Sequence, residues 1–139
     1  MRFMLIMKAN EDSEQGVMPS EEIMTAMGKY NEELVKAGVL LAAEGLHPSS
    51  KGARVHLQHD KRTVLDGPFA EAKELIAGFW LIDVKSRDEA IEWVKRVPTG
   101  EGQDAVVEIR QVFEASDFGD EFTPEARASE AALREQLGQ

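Results

Sequence analysis

The amino-acid sequence predicts an α+β fold in which two amphipathic helices are interleaved among apolar strands in the order βαββαβ. Three observations lead to it. Residues 3–7 and 75–84 read as strands that are apolar on both sides; two segments of helical periodicity begin on serine caps; and a hairpin pattern surrounds residue 60. At 139 residues the chain suits one main domain, long enough to bury a core without metals or disulfides.

Each element follows from local chemistry. Phe3, Leu5 and Met7 alternate with Met4 and Ile6 as a buried strand. Residues 10–19 are polar, contain Gly16 and Pro19, and read as a loop. Ser20 can cap a helix whose first turn holds Glu21 and Glu22, acids suited to the positive helix end. Ile23, Met27, Tyr30 and Leu34 recur on one face of it, and Gly38 ends it. Val39–Ala43 makes a second strand. Residues 53–58 and 62–65 read as strand arms around the turn His59-Asp60-Lys61, merged here into one extended hairpin region. Leu75–Val84 is the strongest strand signal. Ser86 and Glu89 form a capping box, followed by a helix that Pro98 stops. Ala105–Phe113 is the last strand. This order is that of a ferredoxin-like fold with one antiparallel sheet. Phe118 and Phe122 read as isolated apolar residues, and Thr123-Pro124 opens a C-terminal helix of weak apolar face. The expected organisation is a domain over 1–114 and an acidic helical extension over 115–139.

Charge and composition exclude several functions. The net charge is −10, and Glu114–Gln139 alone holds seven acids against two bases. Such a chain repels nucleic-acid backbones and anionic membranes, so neither is an expected partner. With no cysteine, thiol catalysis and thiolate metal sites are out. The apolar run after Arg2 is closed by Lys8 and is too short for a signal peptide, and no apolar run is long enough to span a membrane, so a cytoplasmic location is expected. There is no phosphate loop, nucleophile elbow or dinucleotide fingerprint, and no cofactor is expected.

Two helices cover only one face of a four-stranded sheet. The strand from Leu75 carries Leu75, Ala77, Phe79 and Leu81 on one side and Ile76, Gly78, Trp80 and Ile82 on the other. A solvated face should be polar. The expected cover is the sheet of a second copy, giving a homodimer of the α+β barrel type, with Trp80 in the dimer core or lining a cleft.

The run Asp66-Gly67-Pro68-Phe69-Ala70-Glu71-Ala72-Lys73-Glu74 is the first candidate for chemistry. Gly67 permits unusual backbone angles and Pro68 fixes its own, so the chain turns sharply at a strand end. Asp66 either bonds backbone amides such as that of Phe69, as an Asx-type cap, or projects into a cleft as acid, base or ligand anchor. Here the sequence resembles the YCII-related superfamily, specifically its DGPF branch, whose run is usually written DGPFAETKE. Residues 36–41, 44–48, 78–80 and 89–93 resemble it too. The resemblance implies a ferredoxin-like fold, α+β barrel dimers and a suspected site in which a histidine on the first helix approaches an aspartate in a cleft. Asp66 matches the aspartate. Met27 stands at the histidine position, leaving that dyad incomplete. The resemblance also implies genetic association with extracytoplasmic-function sigma factors.

The remaining candidates are weighed individually. His47, in the loop after the second strand, could replace the missing histidine. Tyr30 is a core residue with a satisfied hydroxyl or a ligand contact. Glu44, Lys73 and Glu74 are surface charges, though Lys73 lies near Asp66 in sequence and could bind an anion. His56 and His59, three apart, point to opposite sides of a strand, so no metal site is expected. The leading function is a small-molecule site in a cleft beside Asp66, possible catalysis being by proton transfer. The alternatives are a ligand sensor and a non-enzymatic regulatory partner protein linked to sigma-factor systems.

Overall fold

The computed structural model describes all residues from Met1 to Gln139. Four strands form one antiparallel sheet in the order β2-β5-β1-β6, where β1 is Arg2–Lys8, β2 Leu40–Gly45, β5 Ile76–Asp83 and β6 Val107–Gln111. The two long helices between them are α2 (Glu21–Lys36) and α3 (Arg87–Val94). The connectivity fits a ferredoxin-like fold. The arms around residue 60 do not join that sheet. They pair only with each other as β3 (Ala53–Leu57) and β4 (Arg62–Asp66), a separate hairpin inserted between β2 and β5.

Local signals set the helix ends. The Ser20 hydroxyl accepts the Ile23 amide, and Gly38 leaves α2 at φ 73°. Ser86 caps α3, but the Glu89 carboxylate accepts the amide of Lys85 rather than of Ser86, so the expected capping box is displaced by one residue. A short helix, α1 (Glu11–Glu14), occupies part of the expected loop 10–19, started by reciprocal bonds between Asn10 and Ser13.

Strand register decides which face meets the helices. Phe3 pairs with Ile82 and Leu5 with Trp80 and Ile109. Phe3, Leu5, Trp80 and Ile82 are buried against Tyr30 and Leu34 of α2 and Ala90 of α3. Trp80 is therefore core beneath the helices, not the sheet's free face. That free face carries Met4, Ile6, Phe79 and Leu81, all half-buried, with Glu44 opposite Phe79 and Glu108 opposite Ile6.

The C-terminal segment does not lie across the sheet. Phe118 and Phe122, expected as isolated, stack in succession on Phe113, with ring centroids 5.0 and 5.3 Å apart. The Arg127 guanidinium of α4 (Pro124–Gln136) donates to the Phe122 and Phe118 carbonyls, and Arg2 pairs with Glu114 at 3.0 Å. A groove of about 640 Å³ separates α4 from this stack. No helix is long and apolar enough to cross a membrane.

Candidate functional site

Antiparallel order brings the ends of β1 and β2 and the starts of β5 and β6 to one end of the sheet. The segments 9–20, 46–75 and 95–106 all gather there. Within this cluster the Asp66 turn is fixed by residues distant in sequence. The Phe69 amide donates to the Ser49 hydroxyl at 3.0 Å. Ser49 in turn donates its amide, at 3.0 Å, and its hydroxyl to the Glu14 carboxylate. Gly67 donates to the Gly52 carbonyl at 3.0 Å across a cis Gly67–Pro68 peptide. A Cβ on Gly67 would lie 1.8 Å from the Ser49 carbonyl oxygen. Gly67 is thus required for close approach of two backbones, not for a left-handed conformation, which it does not adopt.

Asp66 follows from this arrangement. It sits at the end of β4 opposite Ala53, exposed, and its carboxylate accepts no hydrogen bond. The Asx-type cap is corrected, because the amide it needs is taken by Ser49. Two residues before Ser49, exposed His47 lies in the loop that packs on Gly67. The structure therefore brings the His47 loop and the Asp66 turn together without a bond between the two side chains.

Beyond the turn, Glu71 adopts φ 62°, a left-handed conformation that a non-glycine residue holds only when its surroundings impose it. A cleft of about 520 Å³ opens between Ala9, Asn10 and Glu11 on one side and Glu71, Ala72 and Lys73 on the other. Its carboxylates can accept from hydroxyl or amine groups, and the Lys73 ammonium, which forms no ion pair with Asp66 or any other carboxylate, can hold an anion.

Three expected site residues lie elsewhere. Glu44 is on the free sheet face. Tyr30 and Trp80, 4% and 6% exposed, are core residues whose rings meet edge to face at 5.7 Å. The Tyr30 hydroxyl donates to the Trp93 carbonyl and the Trp80 indole to Asn31, each at 2.8 Å. Burial pushes the Tyr30 phenol up to about 12, with Arg96 opposing and Glu33 adding to the shift. Its proton is held more tightly in the folded chain. The stabilisation is complete below pH 10 and is lost as pH rises from 10 towards 12. In urea titrations across that range, wild type should lose more stability than Tyr30→Phe; parallel losses would contradict the buried, protonated phenol.

Residues 1–116 match the YCII-related domain. The chain belongs to the YCII-related domain family. An uncharacterised protein of Rhizobium meliloti (strain 1021) is 32% identical over 90 residues, 65% of this chain and 73% of that protein. Among solved structures, the chain is similar to the 5-chloro-2-hydroxyhydroquinone dehydrochlorinase of Burkholderia phenoliruptrix AC1100 in complex with 2,5-dihydroxybenzoquinone. The identity is 17% and the TM-score 0.46, over 86% of this chain and 100% of that one. The YCII-related domain ends before Phe118, so most of the aromatic stack and all of α4 lie beyond it. Within the domain, sequence reasoning missed Glu14 and Ser49, the residues that build the Asp66 turn. Glu71 lay inside the quoted run, but its left-handed backbone leaves no local signature.

Proposed function

We propose that this YCII-related protein is a homodimer that binds a small polar molecule at the loop end of its sheet, with Lys73 holding an anionic group and Asp66 and Glu71 accepting hydrogen bonds from the remainder. The carrying observation is the clamp from Glu14 through Ser49 to Phe69. It fixes the turn with neutral donors and one carboxylate, and leaves Asp66 unpaired and Lys73 beside an open cleft. A purely structural turn would spend its own aspartate on its own amides. The run around Asp66, which departs only at Ala72 from the form typical of the DGPF branch, supports placement in that branch. Association through the free sheet face is supported by Met4, Ile6, Phe79 and Leu81, which no helix covers.

The test is a thermal-shift screen of small carboxylates and phosphates against wild type, Asp66→Asn and Lys73→Ala. Both positions are exposed, so each variant should melt within about 0.5 kcal/mol of wild type. A compound that raises the wild-type midpoint by several degrees should give little or no shift with either variant. Equal shifts in all three proteins would place binding elsewhere.

A further inference from the structure

We propose that the β3–β4 hairpin is a dimerisation arm, its Val55–Leu57–Val64 face seated on a second copy of the chain and its Asp66 carried into that interface. This rests on the homodimer reading above and adds the element that reaches across. A lone two-stranded hairpin is marginally stable in water. Every residue of β3 and β4 is nevertheless exposed in the single chain. Val55, Leu57 and Val64 are 52%, 67% and 64% exposed. Val55 pairs with Val64, Leu57 with Arg62 and Ala53 with Asp66. Alternate positions share a face, so the three aliphatics form one patch with Asp66 at its base. One exposed aliphatic is ordinary, whereas a contiguous patch marks an interface. On the opposite face the Arg54 guanidinium stacks over Phe69 at 3.9 Å, and Leu65 beside it is 60% exposed. That contact ties the hairpin to the turn after Asp66 in its own chain.

Charge selects the occupant. The hairpin Ala53–Asp66 holds three bases and two acids, while the rest of the chain holds thirteen bases and twenty-four acids. A basic arm on a strongly acidic protein is attracted to another copy of that protein. The free sheet face offers apolar Met4, Ile6, Phe79 and Leu81 and the unpaired carboxylate of Glu44, while Glu108 on the same face is already paired with Lys8 and Arg110. Under two-fold symmetry each copy gives one arm and receives one, so the patch is buried twice. Asp66 has no partner in its own chain, and the second copy supplies the surface that completes its surroundings.

Light scattering and sedimentation of the full chain test the arm, using wild type, the double variant Val55→Glu/Val64→Glu, and Leu81→Glu on the sheet face. The arm substitutions fall on exposed side chains, so far-ultraviolet circular dichroism should be unchanged. Wild type should be a dimer, and the arm variant should dissociate at least tenfold more readily. A wild-type monomer at micromolar concentration overturns both the dimer and the arm. An arm variant that dimerises as tightly as wild type, while Leu81→Glu does not, overturns the arm alone. Hydrogen exchange gives a reading free of substitution: amides of residues 53–66 should exchange slowly when wild type is dimeric and fast on dilution to monomer. Identical rates in both states overturn the arm.

Discussion

Trp80→Ala is expected to lower the stability of the chain by about 3–5 kcal/mol, the range for truncating a buried aromatic. The indole is 6% exposed, meets Tyr30 edge to face, and lies across the sheet from Leu5 and Ala43. Its removal opens a cavity beneath α2 and leaves the Asn31 carbonyl oxygen without its donor. For a domain of ordinary stability, roughly 5–15 kcal/mol, that is a large fraction of the total. Urea denaturation followed by circular dichroism should show a midpoint displaced far below wild type. A loss under about 1 kcal/mol would mean that Trp80 does not anchor the helix layer. Because Trp80 faces the helices, a charge placed there would report on folding. A test of dimerisation belongs at Phe79 or Leu81, on the other side of the same strand.

Gly67→Ala should have the second large effect, about 3 kcal/mol or more, at the upper end of what overpacking costs. The added methyl carbon would stand 1.8 Å from the Ser49 carbonyl oxygen and 2.7 Å from its carbon. Both are backbone atoms, so no side-chain rotation relieves the clash. The two loops must separate, and the Gly67–Gly52 and Phe69–Ser49 hydrogen bonds are lost with them. Amide exchange at Gly67 and Phe69 should accelerate sharply. A variant with wild-type stability and unchanged protection at these amides would show that the turn is not clamped to Ser49.

The contrast between these two residues shows what the sequence made legible. Helix starts were readable because a cap is local: Ser20, Ser86 and Thr123 each accept the amide three residues on. Alternation along the strand from Leu75 correctly sorted its side chains into two faces. It could not say which face the helices would take, because Phe79 and Trp80 are equally apolar. The register with Phe3 and Leu5 and the packing of Tyr30 and Leu34 decide that. The Asp66 turn was legible as a turn and not as a clamp, since its partner Ser49 is twenty residues away and Glu14 thirty-five further from Ser49. Phe113, Phe118 and Phe122 lie five and four residues apart in a segment that forms neither a strand nor an α-helix, so no regular element announced their stacking.

The position of β1 sets a timetable for folding. It lies second from the edge of the sheet, and both strands that flank it, β5 and β6, come from the far half of the chain. At ribosomal speeds of about 5–20 residues per second, the apolar segment Phe3–Met7 waits several seconds before its first partner has been made, and longer before its second. Until then α2 has no completed sheet to pack on, and closing so distant a pair is among the slower steps a small domain can take. The nascent chain therefore spends much of its synthesis with this apolar strand unpaired, which is when holding chaperones would have most effect on the yield of native protein.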